Sequence, residues 1–361
     1  MRTFVIAEAG VNHNGSVERA HEMIRVAARC GADIVKFQAW SAELLTSRHA
    51  SMASYQISNT GTSTSQLELL KNLELPASAY ADLIKTCHSC GVEFLCTPMD
   101  MPSIQLLADL KVRWLKIPSG ELTNAPYLVA AGATKIPCIV STGMGSLLEI
   151  KAALGALAWG YQESTDTPSF EKCCQLWDTV QKQDTLKSHF SLLHCTTEYP
   201  APLADVNLRA MQTLQQTFGL PTGYSDHTAG ITVGIAAAAL GATFIEKHFT
   251  LDRSLPGPDH LASLEPVELG LLVQGVRDAN LALGSPSKGP AASEIKNMPI
   301  ARKSLVAAQS IKAGERFTVE NLTTKRPGGG QSPWKYWEYL GRCASRFYAA
   351  DELIGDEEKK G

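Results

Sequence analysis

One pattern recurs eight times along this chain: a short apolar run of strand character followed by a segment with helical periodicity. The runs are residues 4–7, 34–37, 92–96, 114–117, 138–140, 190–193, 222–224 and 243–245. Between them apolar residues recur three or four positions apart. Val17, Ala20, Ile24 and Ala27 are one example; Leu208, Met211, Leu214 and Phe218 are another, stopped by Gly219 and Pro221. Strand and helix in alternation predict parallel strands joined by crossover helices. Eight such units in about 250 residues is the number that closes a (β/α)8 barrel, a TIM barrel of the α/β class. We expect that barrel over residues 1–284.

Barrel chemistry sits at the C-terminal ends of the strands and in the loops that follow. All eight runs end in polar residues. In order these are Glu8 with Asn12 and His13; Lys36 with Gln38; Thr97; Lys116 with Ser119 and Glu121; Ser141 with Thr142; His194 with Thr196 and Tyr199; Ser225 with Asp226 and His227; and Glu246, Lys247 and His248. Any one of them alone reads as a solvated rim residue, but eight in register define a polar mouth.

Lys36, Lys116 and Lys247, with Ser119, Ser141 and Ser225, form the set that a phosphate or carboxylate wants: ammonium point charges completed by hydroxyl and amide hydrogen bonds. The competing reading pairs those lysines with Glu8, Glu121 or Glu246. His227 and His248 end neighbouring strands, where they either share an exchangeable divalent ion or serve as hydrogen-bonded rim residues. Asp259, on the stiff loop Pro256-Gly257-Pro258-Asp259-His260, is a polyol contact or a turn residue.

The remaining features bound the function. Lys plus Arg number 33 against 36 Asp plus Glu, a net charge of -3, so no global basic field exists to hold nucleic acid or an anionic membrane. The start MRTFVIAEAG lacks the plan of a cleaved signal, and no apolar run is long enough to span a bilayer. Nine scattered cysteines give no disulfide framework, and Cys87, Cys90, Cys173 and Cys174 read as plain thiols. We expect a cytoplasmic protein with no nucleic-acid or membrane partner. After the last barrel helix the texture changes to GSPSKGPAASEIKNMP, a linker over 285–299. A second unit follows over 300–361, with apolar runs at 304–308, 317–319 and 349–354 and a turn at Lys312-Ala313-Gly314.

These motifs, taken together, resemble the sialic acid synthase family. The resemblance rests on Ala7-Glu8-Ala9-Gly10 through Gly15, Val35-Lys36-Phe37-Gln38, Lys116-Ile117-Pro118-Ser119-Gly120-Glu121, Ser141-Thr142-Gly143-Met144, His194-Cys195-Thr196-Thr197-Glu198-Tyr199-Pro200, Tyr224-Ser225-Asp226-His227-Thr228 and Glu246-Lys247-His248-Phe249-Thr250. It runs into the second unit, where Lys325-Arg326-Pro327-Gly328 resembles the β-rich antifreeze-like (SAF) domain that follows the barrel in that family.

The resemblance implies a condensation of phosphoenolpyruvate with the open-chain aldehyde of an N-acetylated hexosamine, releasing phosphate with C–O cleavage. It also implies a divalent metal, manganese first, with magnesium or cobalt as alternatives. Carried over by motif, Lys36, Thr97, Lys116, Ser119, Ser141 and Ser225 would hold phosphoenolpyruvate, with Tyr199 lining the site and His227 and His248 holding the metal. Glu8 and Glu121, beside the catalytic Lys116, would orient the sugar and handle protons, the acid and base unassigned between them. Gln38, Asp226 and Asp259 would bind sugar hydroxyls or support the site. Arg326 would reach the N-acetyl group from the small domain of the partner in a domain-swapped homodimer. We expect N-acetylmannosamine as acceptor, giving N-acetylneuraminate; a diacetamido hexose giving legionaminate or pseudaminate, or the 6-phosphate of N-acetylmannosamine, is the alternative, and a Schiff-base lysine aldolase a more distant one. Thr197 and the long 160–188 stretch depart from the pattern, and the polar loop 41–66, with Tyr55 and Gln56, is expected to cover the site.

Overall fold

Eight parallel strands close on themselves in chain order: β1 (Phe4–Gly10), β2 (Ile34–Ala39), β3 (Glu93–Pro98), β4 (Leu115–Ile117), β5 (Cys138–Ser141), β6 (Phe190–Cys195), β7 (Thr222–Asp226) and β8 (Phe244–His248). The computed structural model describes residues 2–47, 50, 65–164, 166–181 and 183–355. Two units divide the chain, Met1–Gly284 and Ser285–Gly361.

Successive side chains of a strand point to opposite faces, and that rule builds both cores. On β1, Val5, Ala7 and Ala9 face outward into the layer between barrel and helices, while Ile6 faces inward. Inward residues of the other strands, Ile34, Leu95, Ile139, Leu193 and Phe244, join Ile6 to plug the lower barrel. The plug is apolar, so it shuts the barrel from below, and the polar residues above it form the floor of a cup open at the strand C-termini.

The helices carry the expected stripe. Helix Val17–Arg29 starts where the Ser16 hydroxyl accepts a hydrogen bond from the Arg19 amide, and it buries Ala20, Met23, Ile24 and Ala27. Helix Ala210–Phe218 stops at Gly219, whose φ of 65° is a left-handed value that a Cβ disfavours. The long stretch before β6 forms a further helix, Phe170–Val180, capped by Ser169, which buries Cys173, Trp177 and Val180. It packs closely on helix Leu147–Tyr161 because Gly155 has no side chain: a Cβ there would stand 2.0 Å from the Cys173 carbonyl oxygen.

In the second unit, segments 292–295 and 298–301 are short helical turns within and beside the expected linker. β9 (Ser304–Ala307) pairs antiparallel with β10 (Leu322–Lys325). Phe317, from the apolar run 317–319, lies outside both strands and packs with Leu305, Ile311, Leu322, Tyr348 and Ile354 in a small core. The expected turn forms at Lys312, whose carbonyl accepts from the Glu315 amide, with Gly314 at φ 82°.

Candidate active site

Above the plug, the next inward positions are charged. Glu8 pairs in register with Lys36 on one side and His248 on the other, and Ser225 pairs with Glu246. Lys36 Nζ lies 3.0 Å from Glu8 Oε2 and 2.8 Å from Glu246 Oε2. Lys116 Nζ donates to Ser141 Oγ at 2.7 Å and stands 3.5 Å from Glu246 Oε1, which also accepts from Ser225 Oγ at 2.7 Å. Glu246 is therefore the hub of the floor, touching two lysines and a serine.

All four charged side chains of this cluster are buried. At an effective dielectric of about 20, a contact at about 3 Å is worth about 5 kcal/mol, comparable with the several kcal/mol lost in desolvating each ion. Small differences in geometry then decide each group. Burial works against the Lys36 ammonium, but Glu246 and Glu8 outweigh it and hold its pKa above the usual lysine value. Burial lowers the Lys116 pKa: its contact with Glu246 is a longer one, and the neighbouring Lys36 charge opposes its own. Burial would raise Glu8 and Glu246, yet for Glu8 the imidazole of His248 with Lys36 and Lys116, and for Glu246 the two lysines, hold both carboxyls below the ordinary range. The two sequence readings of the lysines thus merge: Lys36 and Lys116 face the mouth, and carboxylates already balance them.

Beside this cluster, the Tyr199 ring lies 4.3 Å from His227 and 5.7 Å from His248 between centroids, and the imidazoles are 5.8 Å apart. His227 Nδ1 is 2.7 Å from the Thr196 carbonyl, which only accepts, so the proton is on Nδ1. Burial pushes the His227 pKa down to about 4, leaving a neutral ring with a bare Nε2, 3.4 Å from Ser225 Oγ. His248 Nε2 is 3.4 Å from Glu8 Oε2; its Nδ1 is buried without a hydrogen-bond partner, 3.9 Å from Asp259 Oδ2. Burial raises the Asp259 pKa. No cluster of three or more His, Cys, Asp or Glu side chains forms a metal cage among the described residues. Two imidazoles, one oriented by a carbonyl and one with an unused buried nitrogen, fit an ion whose other ligands are water and substrate.

One cavity of about 250 Å³ gathers Glu8, Lys36, Gln38, Thr97, Lys116, Ser119, Ser141, Tyr199, Ser225, His227, His248 and Asp259. Gln38 Nε2 donates to Glu8 at 3.0 Å, and Ser119 Oγ accepts from the Gly143 amide at 3.0 Å. Asp226, Lys247 and Glu121 do not line this cavity. Asp226 and Lys247 face outward, away from the cup, because their neighbours Ser225, Glu246 and His248 occupy the inward positions of the pleat. Glu121 ends a single 3-10 turn, Ser119–Glu121, that carries its carboxylate out of the cavity to accept from Asn124 Nδ2 at 2.6 Å. Arg326 belongs to the second unit, at its cis Arg326–Pro327 peptide. Tyr55 and Gln56 lie outside the described residues.

Sequence reasoning gave Glu246 only as a lysine partner and missed its bridging position. It also missed Cys195 and an apolar wall of Val11, Leu69, Leu70, Leu73 and Met99. Apolar periodicity in Leu67, Leu70 and Leu73, just past the polar loop, was the available signal for part of that wall.

A closed barrel with charged and imidazole groups converging at its strand ends is the architecture of a barrel enzyme. The NeuB family model matches residues 23–288 and the SAF domain model residues 302–358. This chain belongs to the NeuB family, among enzymes that make sialic and related nonulosonic acids. It is 46% identical to the N,N'-diacetyllegionaminic acid synthase of Campylobacter jejuni, over 98% of this chain and 99% of that protein. It is 44% identical to the synthase of the same name from Legionella pneumophila, over 98% and 94%. The crystal structure of N-acetylneuraminic acid synthetase from Leptospira borgpetersenii superposes with a TM-score of 0.66 at 33% identity, over 82% of this chain and 90% of that one. The barrel followed by an SAF domain is thus as expected. Those first two relatives are named for the product of the alternative reading, a legionaminic acid, rather than for N-acetylneuraminic acid. Among the described residues, no helix is long and apolar enough to cross a membrane.

Proposed function

We propose that this enzyme condenses phosphoenolpyruvate with an open-chain diacetamido hexose, giving N,N'-diacetyllegionaminate and phosphate with C–O cleavage, in the cytoplasm. The observation that carries the reaction class is the convergence of Lys36, Lys116, Ser119, Ser141 and Ser225 on one cavity that His227 and His248 also line. The acceptor reading is supported by the 46% and 44% identity to diacetyllegionaminic acid synthases, against 33% to an N-acetylneuraminic acid synthetase.

Lys36 and Lys116, with the hydroxyls of Ser119, Ser141 and Ser225 and with Thr97, hold the phosphate and carboxylate of phosphoenolpyruvate. His227 and His248 would hold a divalent cation, manganese before magnesium or cobalt, which would supply Lewis-acid polarisation of the aldehyde oxygen. Gln38 and Asp259 bind sugar hydroxyls. Carbon 3 of the enol attacks the aldehyde carbon, water adds to carbon 2, and phosphate departs. Glu8, held ionised, accepts the proton of that water, while Lys116 stabilises the charge on the departing phosphate. Arg326 is assigned to the acetamido group, reaching it from the partner's small domain in a homodimer.

The test is phosphate release from phosphoenolpyruvate with manganese and, in parallel, no sugar, N-acetylmannosamine, its 6-phosphate and diacetamido hexoses. Release greatest with a diacetamido hexose supports the proposal; release greatest with N-acetylmannosamine overturns the acceptor. Borohydride trapping with a keto substrate tests the Schiff-base alternative, and no covalent adduct is expected.

A further inference from the structure

The cup is polar on its floor and on the histidine side, and apolar along one wall. Leu69, Leu70 and Leu73, on helix Gln66–Leu73, line the cavity with Val11 and Met99. These residues join Trp40, Ala42, Leu45 and Leu67 in a hydrophobic cluster separate from the main barrel core. Leu73 and Val11 are buried, whereas Leu69, Leu70 and Met99 are half-buried and keep surface to offer a ligand.

The wall is held in place rather than draped over the mouth. Trp40 Nε1 donates to the Leu70 carbonyl at 3.3 Å, the Ala42 amide donates to Glu74 at 2.9 Å, and Lys71 pairs with Glu43 at 2.8 Å. Its side chains present no donor or acceptor to the cavity. A hydroxyl pressed against them loses its water without a replacement, whereas a methyl gains contact.

We propose that Leu69, Leu70 and Met99 select the acceptor by receiving the methyl of its second acetamido group. The sugar's aldehyde must reach the histidine side and its hydroxyls have Gln38 and Asp259, which leaves the apolar wall for the group that distinguishes a diacetamido hexose from a monoacetamido one. The inference rests on the acceptor proposed above. Contacts of this kind discriminate by about 10- to 200-fold for one carbon.

The experiment compares kcat/KM for a diacetamido hexose and for N-acetylmannosamine in the wild type, Leu70→Ser and the conservative Leu70→Met, with the KM for phosphoenolpyruvate as internal control. The expected result is a wild-type preference for the diacetamido sugar of about 10-fold or more, a ratio about 10-fold smaller in Leu70→Ser, near-complete retention in Leu70→Met, and an unchanged KM for phosphoenolpyruvate. Should Leu70→Ser not fold, Leu69→Ala and Met99→Gln carry the same expectation. A wild-type preference that persists undiminished in the folded variants overturns the role of the wall alone. A wild type that prefers N-acetylmannosamine overturns the acceptor reading and the wall with it.

Discussion

Asp226 and Lys247 form a wholly buried ion pair at 3.1 Å on the outer face of the barrel wall, back to back with the Ser225–Glu246 hydrogen bond on the inner face. Lys247 Nζ also donates to the Thr228 carbonyl, and Asp226 accepts from the Thr228 amide and hydroxyl. The pair thus ties the end of β7 to the end of β8, one residue from each of His227 and His248. Removing one partner strands a charge in the barrel wall, so Lys247→Ala should lose about 3–5 kcal/mol. Urea denaturation measures this, and the Asp226→Asn/Lys247→Met double variant should be less destabilised than the sum of its single variants. Additive losses would mean that the pair does not couple.

Lys116 is the floor lysine with the weaker carboxylate contact and the hydrogen bond to Ser141. Lys116→Ala should lower kcat/KM for phosphoenolpyruvate by about 100- to 1,000-fold, the range for removing one preorganised charge-stabilising donor. Phosphate-release kinetics decide it; a loss confined to the sugar's KM would put Lys116 outside the phosphoenolpyruvate set.

His227 and His248 make different claims from the lysines, because their removal should be visible without any substrate. Isothermal titration with manganese should show binding to the wild type and a loss of at least about 10-fold in affinity in His248→Ala. Undiminished affinity in that variant would move the metal elsewhere.

Much of this site was legible in the sequence, for a physical reason. Strand ends in a barrel are a fixed address, so Glu8, Lys36, Lys116, Ser225, His227 and His248 could be collected before any coordinates. Lys247 as an anion ligand and Asp226 as a sugar contact went wrong by pleat parity, since Glu246 and His248 cannot share a face with the residue between them, and Asp226 instead supports the site from behind. That correction was available from β8 alone. Glu121 is different, since its direction depends on a 3-10 turn whose geometry no strand period reports. The leucine wall escaped because its neighbouring loop is polar and the helix short, and the helix at 170–180 because its packing depends on Gly155 in another element.

Stability should fall on acidification. His13 and His260 are buried, and burial pushes each pKa down to about 4. An unfolded histidine takes up its proton near pH 6.5, so between about 6.5 and about 4 the unfolded chain binds more protons than the folded one. The stabilisation is complete above the unfolded value and lost as pH falls through that window, with a slope approaching about 1.4 kcal/mol per pH unit for each histidine. Urea melts of metal-free protein at stepped pH measure it, and His13→Gln should show a shallower slope. An unchanged slope would mean that His13 titrates alike in both states.

Condensation with C–O cleavage in the cup built by Lys36, Lys116 and Glu246 is tested by following the bridging oxygen of phosphoenolpyruvate. With that oxygen isotopically labelled and a diacetamido hexose and manganese present, mass spectrometry should find the label in the released phosphate and none in the nine-carbon keto acid. Label retained in the keto acid, or no phosphate release from folded, metal-loaded enzyme with any of the sugars, would contradict the account.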